Sequence, residues 1–332
     1  MKKILFSSIL LVMLSGLASC AEVKPITKSE LRETKLGLYT MVKDTTWEGR
    51  IRITGDVYVK KGVTLTIKPG TVIRFDTIAP KLESQGGRNM FSIGGPGIPY
   101  FPGAEIIIRG RIIAVGTKDR PIIFTSADPA PHPGIWGAVN LLGSNGDVFK
   151  YCRISYAYNG IHNHASHAKV TKCIFHDNGT ALSFIKANFN NTCVMDIEDN
   201  TIVGNLSGIS ARYAMITILH NDISNNKFYG IWLHEGDKGR IAYNDIEKNG
   251  KGVFLFRAAP LKIHLNNIAY NKEYNIALAV ETPVDVDASN NWWGTTDPLK
   301  IKAKFYDKRT DDSLGLVNFR PFLKTKVPGT VK

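Results

Sequence analysis

From residue 152 onward the sequence repeats itself every 21 to 27 residues, and this repeat limits the chain to a few architectures. The clearest units are Asn221-Asp222-Ile223-Ser224-Asn225-Asn226, closing on Gly230-Ile231, and Asn244-Asp245-Ile246-Glu247-Lys248-Asn249, closing on Gly252-Val253. Asn200-Thr201-Ile202 with Asn205 and Gly208-Ile209 fits the same frame, as does Asn266-Asn267-Ile268 with Asn271 and Asn275-Ile276. Cys152 and Cys173 stand at the first Asn position of two earlier units, and the last unit reads Asn290-Asn291-Trp292-Trp293-Gly294. The register Cys152, Cys173, Asn200, Asn221, Asn244, Asn266, Asn290 therefore advances by 21, 27, 21, 23, 22 and 24 residues. Short alternating strands of this kind cannot each bury a face alone. Stacked as coils ~4.8 Å apart, they pair in parallel along the stack and share one core. An Asn at the same bend of every coil can pass amide hydrogen bonds along the stack, and Asn and Gly suit left-handed corners. A leucine-rich repeat needs a Leu lattice that is absent, and a propeller needs longer units.

This Asn-x-Ile-x-x-Asn pattern followed by Gly-Ile resembles the right-handed parallel β-helix of the pectin-lyase-like superfamily. Residues 47–75 resemble its first coils, with Trp47, Ile51 to Val57 and Leu65 to Thr71. Gly110 to Thr117 and Pro121 to Ser126 fit as well. The expected fold is an all-β, single-stranded solenoid over residues 46–297, with a tether and N-terminal cap over 20–45. Thr27-Lys28-Ser29-Glu30 has the spacing of a helix capping box within that cap. The Gly- and Pro-rich stretch 76–103 reads as a loop leaving the stack, and 298–332 as a basic C-terminal lid and tail.

The first nineteen residues read as an export signal. Lys2 and Lys3 precede an apolar run, Ile4 to Leu14, that is too short for a permanent membrane helix. Leu17-Ala18-Ser19-Cys20 resembles the bacterial lipobox, which implies lipidation of Cys20 and, with Ala21 following, an outer-membrane destination. Basic residues exceed acidic ones by 13 (42 against 29), an excess of 11 once Lys2 and Lys3 are removed. That charge favours anionic partners: an acidic glycan, an envelope surface or an envelope protein. The export signal argues against nucleic acid.

Alternation after each Gly-Ile step points Ile231 and Leu233, Val253 and Leu255, and Ile276 and Leu278 inward. The outward strip then carries His162 and His164, Ser183 and Ile185, Ser210 and Arg212, Trp232 and His234, Phe254 and Phe256, and Ala277 and Ala279. Aromatic faces stack on sugars and Arg forks onto carboxylates, so this strip is the expected ligand-binding surface. Its competing reading is ordinary packing beneath a loop. For an enzyme, the superfamily resemblance implies an Arg or Lys base. Arg212 with His234 is the candidate pair, with Lys186 or Arg257 as substitutes. The strip holds no carboxylate, and Glu235, Asp237 and Glu281 fall just past strand ends, where they are as readily solvated turn residues as site residues. Hydrolysis and calcium-dependent elimination both lack their acidic groups.

His162 and His164, at i and i+2, could bridge a transition metal, an idea to which a β-helix family linked to copper delivery, the periplasmic maturation factors of nitrous oxide reductase, lends outside support. Without a third fixed ligand, no cofactor is called for. Cys152 and Cys173 share a column in adjacent coils, within disulfide reach but pointing the same way, which favours column filling over a bridge.

Overall fold

The computed structural model describes residues 33–78, 103–185, 193–234, 237–257, 261–279 and 281–328. Cys20, the capping box at 27–30, most of the 76–103 segment, Lys186 and Glu235 lie outside them. The described chain winds through three parallel sheets of 10, 11 and 9 strands. Each coil contributes one strand to each face in turn. Coil 7, for example, places Thr201–Val203 on face A, Ser207–Arg212 on face B and Ala214–Leu219 on face C. No helix among the described residues is long and apolar enough to cross a membrane.

The stack begins earlier than residue 46. Glu33–Leu36 pairs with Arg50–Ile53, and Glu33 accepts from the Arg74 side chain two coils on. Residues 33–47 thus form a complete first coil. At the other end, Asp297 caps the helix Pro298–Lys302, accepting from the Leu299 N–H at 2.9 Å. Phe305–Tyr306 then adds the last strand to face B, and Val317–Asn318 pairs with Val286–Asp287. Ile301, Phe305, Leu314, Val317 and Phe319 are buried in the common core, so 298–328 packs onto the end of the stack. Val327 exchanges hydrogen bonds with the Asn267 side chain, and Lys326 reaches Asp245 and Glu247 on face A.

The core is one cluster running the length of the stack, with Phe124, Phe149, Phe175 and Phe184 buried and Phe75 stacked on Trp136 at 3.9 Å. Two Asn ladders flank it. One runs Asn200, Asn221, Asn244, Asn266, Asn291; the other runs Asn178, Asn205, Asn226, Asn249, Asn271. In each, a residue gives its backbone N–H and a side-chain N–H to the next Asn Oδ1. The rung after Asn266 is Asn291, one residue beyond the sequence register; Asn290 takes the left-handed corner instead, with φ of 57°. That shift exposes a rule. The ladder Asn points inward, and the residue before it turns the corner: Tyr151, Lys172, Asp199, His220, Tyr243, Leu265 and Asn290 have φ between 50 and 60°. A left-handed L-residue costs ~1–2 kcal/mol, which the buried ladder offsets whatever the side chain.

Cys152 and Cys173 occupy ladder positions as free thiols. The Cys173 N–H donates to Asn200 Oδ1 at 2.9 Å, and the Cys152 N–H to Cys173 Sγ at 3.4 Å. Sulfur here stands in for the amide oxygen.

Candidate functional site

Strand pairing on face B aligns three outward columns. The middle one runs Asn140, His162, Ser183, Ser210, Trp232, Phe254, Ala277. To one side stand Asn159, Thr180, Ser207, Tyr229 and Lys251. To the other stand His164, Ile185 and Arg212, with His234 following where its N–H meets the Ala211 carbonyl. The residues between them, Leu182, Ile209, Ile231, Leu233, Val253 and Leu255, are at most 1% exposed. Alternation therefore sorts the faces as read from the sequence.

Over coils 5 to 8 these columns enclose a groove of about 630 Å³. Ser183 and Ser210 form its floor, with Thr180 and Ser207 along one side and Ile185 and Arg212 along the other. His162, His164, Arg212, Trp232 and His234 meet there, all half-buried except the buried His162. Phe254 and Phe256 do not line it. Phe254 lies behind, stacked on Tyr229 at 5.1 Å, and Phe256 meets the His234 ring at 5.8 Å. Both remain half-buried, as do Trp232 and Tyr229.

Several lining residues escaped the sequence reading: Tyr158, Asn159, Thr180, Ser207, Phe228 and Tyr229. The usable signal was positional. The residue just before each Gly-Ile step faces outward, and Ser207 and Tyr229 occupy that position. Tyr229 makes the far wall continuous, its ring 5.3 Å from Trp232, while Trp232 in turn lies 4.3 Å from His234.

At the near wall, His162 Nδ1 faces the Asn159 amide nitrogen at 3.0 Å, and His162 Nε2 meets His164 Nε2 at 2.6 Å. Burial, and secondarily the His164 charge, hold His162 well below the usual imidazole range. Burial brings His164 down to about 4. Both rings are thus neutral at pH 7. With the Asn159 amide donating to Nδ1, the proton of His162 sits on Nε2 and is given to His164.

Asp237 is not a solvated turn residue. It is 0% exposed, accepting from the Ala214 N–H at 2.7 Å and the His234 N–H at 3.0 Å. Burial raises its pKa to about 7 against the opposing pull of those bonds and of Arg212. It serves as a corner rung, as Asp147 does for the Ile112 N–H. Glu281 likewise has a partner: it pairs with Arg257, which removes Arg257 from the groove. No carboxylate lines the groove among the described residues. Glu105, beside the middle column, accepts from Asn140 at 3.2 Å and is 2% exposed. Among the described residues no three His, Cys, Asp or Glu side chains gather as a metal cluster.

A coil-by-coil parallel stack with a ligand-sized groove on one face defines the class. A model for a pectate-lyase-like β-helix domain matches residues 39–147, and the fold is a right-handed parallel β-helix. A second model, described as periplasmic copper-binding protein (NosD), matches residues 125–297, just over half of the chain. The protein belongs to that family. Among solved structures, two variants of the periplasmic alginate epimerase AlgG resemble the chain. They are 13% and 12% identical, with TM-scores of 0.40 and 0.42. The matches cover 85% and 89% of this chain and 74% and 75% of theirs. A comparison with curated proteins finds no match.

Proposed function

We propose that this chain is an exported, lipid-anchored β-helix protein that holds an anionic glycan in the face-B groove. The carrying observation is the joint presence, in one 630 Å³ groove, of the Trp232 and Tyr229 rings and the Arg212 guanidinium, with no carboxylate lining it among the described residues. Rings supply an apolar platform for a sugar face, and a guanidinium supplies two parallel donors for its acid group. The excess of 11 basic residues that remains without Lys2 and Lys3 draws such polymers in at long range. Export and anchoring rest on the Lys2-Lys3 start, the apolar run and Cys20; the family's periplasmic description agrees with export.

The test is a glycan array probed with the protein lacking residues 1–20, alongside an ultraviolet assay for unsaturated sugar products. Binding of acidic glycans without product supports the reading. Product formation would instead assign an elimination, with Arg212 as base and His234 as helper. Neither binding nor product would leave an envelope scaffold or assembly factor.

One observation favours a second reading. The family description names copper, and His162 and His164 present two neutral Nε2 atoms to each other inside the groove. Imidazole nitrogen suits copper. His162 and His164 would hold it, Asn159 fixing the His162 ring. Copper titration of the protein and of His162→Ala, read by ultraviolet charge-transfer bands, separates the two: loss of binding in the variant supports this reading.

A further inference from the structure

We infer that the groove is a blind slot for the terminal one or two rings of an acidic oligosaccharide, not an open cleft through which a polymer runs. The inference rests on the glycan reading and adds which part of the glycan is held.

The middle column sets the profile. Along the stack it reads His162, Ser183, Ser210, Trp232: bulky, small, small, bulky. The side column runs from Asn159 through Thr180 and Ser207, all of modest size, to the bulky Tyr229. The middle column therefore drops over coils 6 and 7 and rises at coils 5 and 8, and the side column joins the rise at coil 8. Strands stack ~4.8 Å apart, so wall to wall is three steps, ~14 Å between backbones, less the thickness of the side chains that form the walls. A polymer continuing along face B would have to climb over Trp232 and then over Phe254, whose ring lies 6.0 Å from it. In the other direction it would meet the His162–His164 pair, their rings 4.3 Å apart. No residue of the adjoining strands Trp136–Leu142 and Lys251–Leu255 lines the groove. The groove's 630 Å³, open to solvent above the floor, lies within the ~300–1,000 Å³ of small-molecule pockets.

The recognition chemistry converges on the same two coils. Arg212 flanks Ser210 in coil 7, so it stands beside a ring lying on the floor, not at an entrance. Its guanidinium is steadied over the Tyr213 ring at 5.4 Å. Across the floor, the Thr180 and Ser207 hydroxyls face it from the other column and suit sugar hydroxyls. At the near wall, neutral imidazoles add hydrogen bonding without a second cationic site, so one acid group is recognised per slot.

The test is calorimetric titration of the full chain in detergent with oligouronates from the monomer to the hexamer, and with the parent polymer before and after partial depolymerisation. Affinity should climb to the dimer and then stay level within about threefold. Binding by the polymer should increase with the number of chain ends at constant mass. A tenfold or greater further gain from dimer to hexamer, or polymer binding indifferent to chain ends, overturns the slot while leaving glycan binding intact. Absence of binding at every length removes the glycan reading and the slot together. Two variants guard the result. Ser183→Phe fills the floor from an outward, half-buried position and should abolish oligouronate binding with the melting temperature kept. Trp232→Ala lowers the coil 8 wall, and the ratio of hexamer to dimer affinity should rise; a ratio unchanged in a folded variant that still binds counts against the wall.

Discussion

Asn221 donates to Asn244 Oδ1 twice, from its backbone N–H and from its side-chain Nδ2, each at 2.9 Å. The same Nδ2 also reaches the Ile197 and Leu219 carbonyls at 2.9 Å. One buried amide thus satisfies three neighbouring coils. Asn221→Leu should therefore strand the Asn200 N–H and take the side-chain donor from the Ile197 carbonyl, at ~1–3 kcal/mol each before relaxation, while the Asn244 oxygen keeps the residue-221 backbone N–H and the Leu219 carbonyl keeps the Asp199 N–H. Urea unfolding should show a loss of several kcal/mol, on the order of these costs. Asn221→Cys should lose less, because Cys173 already accepts a backbone N–H at such a position.

The thiols make a separate prediction. Cys152, Cys173 and Cys193 are buried and free, and burial pushes Cys193 up to about 12 and Cys152 well above the ordinary thiol range. A thiol reagent should leave all three unlabelled in the native protein and modify them after denaturation. Reductant should not move the melting temperature. A reductant-dependent melt would reveal a Cys152–Cys173 bridge in solution.

The repeat made the fold legible because parallel stacking forces every coil to obey one template, so Ile209, Ile231 and Val253 could be placed inward from spacing alone. What stayed hidden came from contacts between coils whose residues lie far apart in sequence. Nothing local marks Asp237 as buried; it is so because Ala214, 23 residues earlier, offers it an N–H. The corner rule was likewise inverted in the sequence reading, since the left-handed turn belongs to the residue before each ladder Asn, and that residue can be Lys172 or Leu265 as readily as Asn290. The outward strip was readable, but its ends were not. Only the three-dimensional profile shows that Trp232 and Tyr229 close the groove and leave Phe254 and Phe256 beyond it.

Removal of Cys20 tests the anchoring proposal. Cys20→Ser should abolish incorporation of a palmitate analogue and shift the protein from the membrane fraction to the soluble one. Unchanged labelling would rule out lipidation at this residue.

Asp237 should give the stability a distinctive pH dependence. Its folded pKa of about 7 stands above the ordinary 3.8, so the folded state holds the proton more tightly. The associated stability is complete below pH ~4 and is lost as pH rises to about 7. His162 and His164 act in the opposite sense. Their pKa values are depressed, so their contribution is present above ~6.5 and lost as pH falls through His164's value of about 4. Between pH ~6.5 and ~8 the histidines are silent and Asp237 completes its loss. Melting temperature should decline across that window in the native chain, and the decline should flatten in Asp237→Asn. An equal slope in both would assign the titration elsewhere.

Trp232 and Leu233 are neighbours on one strand with opposite duties, and the contrast separates recognition from packing. Leu233 is 0% exposed in the core, so Leu233→Ala should cost ~2–5 kcal/mol through the cavity it leaves. Trp232 faces the groove, half-buried against Tyr229, His234 and Phe254, and its indole N–H is buried with no acceptor among the described residues. Losing an unpaired donor costs nothing in hydrogen bonding, so Trp232→Phe should fold as well as the native chain and keep most of the sugar-stacking face. Trp232→Ala should destabilise less than Leu233→Ala while weakening acidic-glycan binding. Arg212→Ala should spare neutral sugars and reduce both affinity for acidic ones and the salt sensitivity of that affinity. Should Trp232→Ala unfold the protein as readily as Leu233→Ala, the aromatic wall is a packing element, and the ligand platform must be sought among the serines and threonines of coils 6 and 7.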